Sequence, residues 1–182
     1  MATDVIPALE VKQLVVSSGG TMITSGMTKT RTGQVYKYPC RLGNPGANTD
    51  VGFVKTGVDG CILTMAASST ADTWIVCVPN LHQGDIITSM GIVGQIESAG
   101  NTATVDYELK EMTPVATGCT TASVQAGTQI SKSADYLVDE TTAVAVPHTV
   151  DCTKALYFLI TVTTAAATDV ELLHLRLTIT EK

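Results

Sequence analysis

Histidine is the side chain used most often as a general base or metal ligand near neutral pH. This chain has three histidines, His82, His148 and His174, which lie far apart in the sequence. None of them has a second histidine two or four residues away, the spacing that would place two ring nitrogens on one face. The sequence therefore predicts no metal ion, and we expect the three rings to be solvated or held by single hydrogen bonds.

Carboxylates that could share acid and base roles occur in two places. Asp106 and Glu108 stand two positions apart, about 7 Å along a strand, and Lys110 continues their row. Asp139 and Glu140 are adjacent in a polar segment. The first row is typical of a polar outer face with compensated charge, and neither pair is accompanied by a nucleophile elbow, a glycine-rich phosphate loop or an EF-hand loop. We expect a non-enzymatic protein with no catalytic residues and no cofactor.

Five cysteines are spread along the chain at wide, irregular intervals. They are Cys40, Cys61, Cys77, Cys119 and Cys152. An odd number without a CxxC pair does not resemble a disulfide framework or a zinc site. This pattern predicts reduced thiols, several of them packed as small core residues, in a protein made in a cytoplasm.

One cluster combines aromatic and basic side chains near the N-terminus. Its members are Lys29, Arg31, Tyr36, Lys37, Tyr38 and Arg41. Tyrosine and arginine are enriched where protein subunits meet, so these residues are candidate inter-subunit contacts. The alternative is that the segment packs on its own domain.

Charge is scarce and unevenly placed. Charged residues make up 15% of the 182 residues, and the net charge is −6. Residues 11–49 carry five cations and no acid, whereas residues 61–182 carry 13 acids and 5 bases. The acidic balance argues against a nucleic-acid partner, and no apolar run is long enough for a membrane helix. A charge-poor chain with a basic N-terminal segment indicates assembly with other subunits.

The remaining pattern predicts an all-β protein. Threonine, valine and isoleucine are frequent, and short apolar runs alternate with turn residues. We predict an antiparallel β-sandwich with a jelly-roll or Greek-key order over residues 51–182, preceded by an extended N-terminal arm, residues 1–50.

Six strands are the clearest. Residues 51–55 and 61–66 are short strands, and residues 74–78 are continuously apolar, which favours burial on both faces. Residues 102–111 alternate, with Ala103, Val105, Tyr107 and Leu109 on the apolar side. Residues 156–162 and 173–179 are predicted to form a C-terminal hairpin, with Leu173, Leu175, Leu177 and Ile179 facing inward.

Two segments resemble virion structural proteins of tailed bacteriophages, particularly capsid decoration (cement) proteins. The stretch 72–87, DTWIVCVPNLHQGDII, is similar to a phage β-sandwich motif in which a hydrophobic strand leads through a glycine-acid turn to the next strand. The stretch 100–105, GNTATV, resembles the turn and strand that follow. The threonine-, alanine- and glycine-rich composition and the Met1-Ala2 start without a signal peptide are also similar.

This resemblance implies a subunit of the virion, assembled in the host cytoplasm. Such proteins bind over the lattice of the major capsid protein, as trimers or dimers, and stabilise the shell. The family has no catalytic residues to transfer. Two other functions remain open: a tail-fibre, baseplate or receptor-binding module that recognises a glycan, and a carbohydrate-active or lectin-like domain.

Overall fold

A computed structural model describes residues 31–46, 53–56, 62–65, 71–98, 100–165 and 168–181. These residues form strands almost throughout, with one short 3₁₀ helix, Cys40–Leu42. In chain order the strands are β1 (Arg31–Pro39), β2 (Asn44–Pro45), β3 (Phe53–Thr56), β4 (Ile62–Met65), β5 (Asp72–Cys77), β6 (Ile86–Ser98), β7 (Ala103–Val115), β8 (Gly118–Ala126), β9 (Ile130–Lys132), β10 (Tyr136–Thr149), β11 (Ala155–Thr163) and β12 (Thr168–Glu181).

The strands form two antiparallel sheets. Sheet A has the order β10-β6-β12-β4-β3, and β1 pairs with β12 on the same side as β4, farther along the strand. Sheet B has the order β2-β5-β11-β7-β8, and β9 pairs with β7 beside β8. Connections between consecutive strands pass repeatedly from one sheet to the other, so the chain wraps around a single core.

Four of the strand pairs are nested. The pairs are β4–β12, β5–β11, β6–β10 and β7–β8. Each pair is enclosed in the sequence by the pair before it. This nesting gives the sheets β4-β12-β6-β10 and β5-β11-β7-β8, which is the eight-strand order of a jelly roll. The predicted all-β antiparallel sandwich is confirmed, and its strand order is the jelly-roll alternative.

Alternation along the strands fills the space between the sheets. Ala103, Val105, Tyr107 and Leu109 are all buried, as their spacing predicted. Sheet A contributes Leu63, Met65, Ile87, Met90, Ile92, Ile96, Leu172, Leu175, Leu177 and Ile179, and sheet B contributes Trp74, Val76, Phe158, Ile160 and Val162. Each sheet therefore uses one face for the core and leaves the other available for contacts.

The apolar run at residues 74–78 is buried on one face and not on both. Trp74 and Val76 lie in the core, whereas Ile75 is half-buried and Cys77 is exposed. The prediction of two buried faces was wrong because β5 belongs to a two-layer sandwich, which covers only one side of each sheet. Ile75 and Cys77 therefore form part of an apolar outer surface.

The predicted C-terminal hairpin does not form. β11 pairs with β5 and β7 in sheet B, whereas β12 pairs with β6, β4 and β1 in sheet A. The physical reason is that both strands are strongly apolar on one face. Placing them in opposite sheets packs those faces against each other across the core.

Leu173 also departs from its predicted orientation. The register of β12 against β6 shifts between Leu172 and His174, which marks a β-bulge. Leu172 is fully buried, while Leu173 is 40% exposed on the outer face. Leu175, Leu177 and Ile179 face inward as predicted. The extra residue at the bulge turns Leu173 outward without disturbing the alternation that follows.

Part of the predicted N-terminal arm belongs to the two sheets. β1 runs along β12, and β2 pairs with Ile75 and Trp74 of β5. The indole nitrogen of Trp74 donates to the Cys40 carbonyl at 2.7 Å, and a Cβ added at Gly43 would lie 2.4 Å from that nitrogen. Residues 31–46 therefore pack closely on the sandwich. Residues 1–30 and 47–50 of the predicted arm lie outside the described residues.

Candidate interaction surfaces

The basic and aromatic cluster predicted at the N-terminus is divided between the two faces of β1. Tyr36 and Tyr38 point toward the interior, whereas Val35 and Lys37 are exposed on the outer side. This division follows from the two-residue period of a strand. Arg41 is exposed on the 3₁₀ helix, and Lys29 lies outside the described residues. The cluster therefore does not form one continuous surface.

Tyr36 and Arg31 share a single acidic partner. The Tyr36 hydroxyl donates to Glu181 Oε1 at 2.6 Å, and Arg31 Nε lies 3.9 Å from Glu181 Oε2. The hydrogen bond to Glu181 raises the pKa of the Tyr36 hydroxyl. These contacts fasten the start of β1 to the end of β12 within one chain.

Tyr38 is a core residue. It is 7% exposed, and its ring lies 6.5 Å from the ring of Phe158 across the sandwich. Burial raises the pKa of its hydroxyl, which finds no hydrogen-bond partner in the part of the chain that the structure describes. The Tyr38 ring therefore packs on its own domain, which is the alternative stated for the cluster, and does not lie on an exposed surface.

A charged row crosses the outer face of sheet A. Lys37 stands opposite Arg176 in the register, and the Arg176 guanidinium reaches across Gly91 to Asp139 at 2.6 Å. A Cβ at Gly91 would lie 2.7 Å from Arg176 Nε, so the glycine makes room for the arginine side chain. Burial lowers the pKa of the neighbouring His174, and Lys37 and Arg176 lower it further.

An apolar patch lies beside this row on the same face. We call it the outer patch, and it consists of Ile62, Val93, Leu137 and Leu173, one from each of the strands β4, β6, β10 and β12. These side chains line a shallow depression of about 210 Å³ with Gln95 and Glu171. Leu137 is 73% exposed and Leu173 is 40% exposed. Gln95 donates to Glu171 at 2.6 Å, so the rim of the patch is polar.

Sequence reasoning missed the outer patch because the bulge of β12 creates it. The only signal was the adjacent pair Leu172-Leu173, which interrupts an otherwise alternating strand. Two consecutive leucines cannot both face the core of a regular strand. The pair therefore contained the information that one leucine points outward, although it did not indicate which strands would surround it.

A larger groove of about 450 Å³ lies at one end of the outer face of sheet B. Ile75, Cys77, Met112 and Tyr157 are among its apolar lining residues, and Lys154 is the charged residue at its edge. Lys154 Nζ donates to Glu111 Oε1 at 2.8 Å, and that bond raises the pKa of Lys154. The groove offers apolar contact area, and its lining brings no acid and base together.

The polar residues singled out for chemistry have local partners instead. Asp106 accepts from Gln129 at 2.9 Å, and Lys110 donates to Glu108 at 3.4 Å. His82 Nδ1 lies 3.6 Å from Asp85, and His148 Nε2 lies 3.3 Å from Glu111. Among the described residues, no three metal-ligating side chains come together, and no helix there is long and apolar enough to cross a membrane.

The described cysteines lie in different surroundings. Cys40 is buried, and burial raises the pKa of its thiol to about 12. Cys77, Cys119 and Cys152 are exposed free thiols. We expected several cysteines to be small core residues, and of the four described cysteines Cys40 is one.

No family model matches this chain, and no curated protein matches it. Among solved structures, it is similar to a chain of infectious bursal disease virus, Gt strain, at 13% identity and a TM-score of 0.34, over 97% of this chain and 38% of that one. A chain of the Gx strain gives 12% identity and a TM-score of 0.27, over 94% and 42%. The enzymatically active domain of tailspike protein 4 of bacteriophage CBA120 gives 8% identity and a TM-score of 0.30, over 81% and 18%.

The chain spans less than half the length of each of these structures. All three TM-scores lie below 0.5, so the fold assignment rests on the strand order given above. That order defines a jelly-roll domain whose two outer faces carry apolar surface.

Proposed function

We propose that this protein is a non-enzymatic structural subunit of a virion, a capsid decoration (cement) protein of a tailed bacteriophage. The observation that carries the proposal is the outer patch, an apolar centre that crosses four strands of sheet A and has a polar rim. An apolar centre surrounded by polar groups is the usual composition of a protein interface. The partner would be the major capsid protein.

The fold narrows the choice of function. Jelly rolls recur in viral capsid domains, in lectins and in metal-binding cupins. A lectin platform would need exposed aromatic rings, and none of the aromatic side chains that the structure describes is exposed. A cupin would need clustered metal ligands, whereas His82 and His148 each lie beside a single carboxylate and His174 lies near Lys37 and Arg176. Virion assembly is the function that fits the surface best.

Charge adds a second source of attraction. Lys37 and Arg41 remain exposed beside sheet A, on a chain whose net charge is −6. Exposed cations at the rim of an interface mainly steer association and fix its orientation. The basic N-terminal segment, including Lys29, would extend the contact onto an acidic neighbour.

The mechanism is adhesion without chemistry. A specific interface buries about 1,600 Å² in total, and each square ångström of apolar surface removed from water contributes about 25 cal/mol before the costs of association. Many copies on one shell would then stabilise it through repeated contacts. The subunit would act by holding neighbouring capsid proteins together.

The proposal is tested by co-sedimentation with shells of the major capsid protein encoded in the same genome. We expect the wild-type chain to sediment with the shells and to saturate at a fixed ratio of subunits. Leu137→Glu should abolish sedimentation while the chain stays folded, because it places a charge within the outer patch at its most exposed leucine. Val146→Glu is the matched control, since Val146 is also exposed but lies outside the patch.

A wild-type chain that stays in the supernatant with intact shells would overturn the assignment. A specific hit on a glycan array, in the absence of shell binding, would instead support the tail-fibre or receptor-binding module.

A further inference from the structure

The hairpin formed by β7 and β8 extends beyond the sandwich. Residues 114–123 are all exposed, without interruption. Consecutive residues of a strand point to opposite faces, so unbroken exposure means that both faces of this ribbon are uncovered. Val115 pairs with Gly118, which leaves a two-residue loop at the tip. A two-stranded ribbon of this kind is only marginally stable in water by itself.

The projecting part of this hairpin contains no charge. Residues 112–131 are twenty consecutive positions without Asp, Glu, Lys or Arg, in a chain whose charged fraction is 15%. Interface centres are depleted of charged residues, while exposed ribbons usually carry them. The Val115 side chain is 44% exposed at the tip. The composition is that of a surface that becomes covered.

β8 is also an edge strand, and residues 118–123 of it lack the usual protection. It is the last strand of its sheet, and among the described strands it pairs with β7. Natural edge strands carry lysine, proline or a bulge that prevents further pairing. The sequence of β8, GCTTASVQA, has no charge and no proline, and its pairing with β7 is irregular only at Val124. The outer row of backbone groups over residues 118–123 can therefore accept another strand.

The other described edges are better guarded. β1 carries Arg31 and Lys37, and β10 carries Asp139 and Glu140 and includes Pro147 in a stretch that is out of register with β6. These charges and the irregular stretch of β10 disfavour added pairing. Of these edge strands, β8 is therefore the one most able to pair with a further strand.

The absence of charge identifies the partner as a second copy of this chain. When two identical strands pair antiparallel about a two-fold axis, residues near the axis face their own copies. A charged residue there would meet a charge of the same sign, which is destabilising. The central Thr120, Thr121, Ala122 and Ser123 avoid this repulsion, and facing threonines pair favourably. A strand meant for a charged partner would instead carry complementary charge.

We propose that β8 pairs antiparallel with β8 of a second copy, about a two-fold axis near Ala122, the midpoint of the strand. The pairing joins the two B sheets into one continuous sheet and makes each two-stranded ribbon part of a four-stranded one, which is more stable. The surface is separate from the outer patch of sheet A, so self-association and shell binding are independent properties.

Sedimentation equilibrium tests the pairing. We expect the wild-type chain to form dimers, and both Ala122→Lys and Ala122→Glu to weaken dimerisation at least about tenfold through like-charge repulsion. An equimolar mixture of the two variants should dimerise again, because the charges that face each other are then opposite. Thr163→Lys is the control, since it adds a charge at an exposed position outside the hairpin.

Cysteine cross-linking locates the axis. In a background of Cys61→Ser, Cys77→Ser, Cys119→Ser and Cys152→Ser, which keeps only the buried Cys40, one cysteine is placed at position 120, 121, 122, 123 or 124, and the protein is oxidised with copper-phenanthroline. We expect one position, or two adjacent positions, to give a disulfide-linked dimer. A monomeric wild-type chain would overturn the proposal, and so would dimers that tolerate both charged variants. Cross-linking at all five positions alike would also contradict a fixed register.

Discussion

Tyr107 connects the two sheets of the sandwich through its hydroxyl group, and its ring packs against one glycine. Its hydroxyl lies 2.9 Å from Thr142 Oγ1 of β10, and the Gly127 amide donates to its carbonyl at 2.7 Å. The ring lies directly against Gly127, where an added Cβ would be 2.4 Å from Tyr107 Cζ. Gly127 therefore provides the space that the buried ring occupies.

Gly127→Ala should lower the free energy of unfolding by about 1–3 kcal/mol, the usual cost of overpacking. The reason is that the new methyl group would displace the Tyr107 ring, which is fixed by its contact with Thr142. Urea denaturation followed by Trp74 fluorescence measures the change. Ala126→Ser, at the exposed neighbouring position, should leave the midpoint unchanged, and equal midpoints for the glycine variant and wild type would contradict the packing described.

His174 makes stability depend on pH. Its pKa is lowered from 6.5 by burial and by Lys37 and Arg176, against Asp139, which raises it. Below pH 6.5, His174 is therefore protonated more fully in the unfolded chain than in the folded chain. In this window the free energy of unfolding rises with pH. The stabilisation is complete above that value and is lost as the pH falls toward the folded-state pKa.

His174→Gln should remove this pH dependence. Because a single proton is involved, the free energy of unfolding changes by at most about 1.4 kcal/mol per pH unit. Lys37→Gln should reduce the slope without removing it, because burial is the larger cause of the shift. Urea midpoints between pH 5 and 7.5 provide the measurement. A slope in wild type that is unchanged in His174→Gln would assign the effect to another group.

The bulge in β12 is the element on which the outer patch depends. It lets Leu172 face the core and Leu173 face outward, although the two residues are adjacent. Bulges turn side chains in this way at the positions where sheets bend or bind. The patch is thus a consequence of one extra residue in one strand.

Leu172→Ala should destabilise the protein by about 2–5 kcal/mol, whereas Leu173→Ala should cost less than about 1 kcal/mol. The difference arises because the first substitution creates a cavity and the second removes an exposed side chain. Denaturant titration of both variants tests the register directly. Equal losses, or a larger loss at Leu173, would place the bulge elsewhere.

Alternation predicted much of the fold from the sequence. β7 and the second half of β12 follow their two-residue period, and their buried residues were identified correctly. The assignment of β11 and β12 to opposite sheets could not be predicted, because a hairpin and a crossing are equally compatible with two amphipathic strands. The outer patch was missed for the same reason: it joins four strands that are distant in sequence.

At the scale of the whole molecule, residues 31–46 complete the jelly roll. They provide Tyr38 and Cys40 to the core and cover Trp74, the single tryptophan of the chain. The N-terminal basic segment is therefore divided into a part that belongs to the sandwich and a part, residues 1–30, whose role in partner binding is a prediction.

Deleting residues 1–46 should lower the free energy of unfolding by about 3 kcal/mol or more and shift Trp74 emission to longer wavelength. The shift is expected because the Cys40 carbonyl and the segment around Gly43 no longer shield the indole. Deleting only residues 1–30 should leave the emission unchanged, since the contacts of Trp74 are retained. Identical emission from both deletions would contradict the role assigned to residues 31–46.

In the function that we propose, the outer face of sheet A adheres to a capsid neighbour. Hydroxyl-radical footprinting can compare the free chain with the chain bound to shells of the major capsid protein from the same genome. We predict that oxidation of Leu137 and Leu173 falls on binding, while Val146 reacts equally in both states. If Leu137 and Leu173 stay fully reactive in the shell-bound chain, the outer patch is not the surface that binds the capsid.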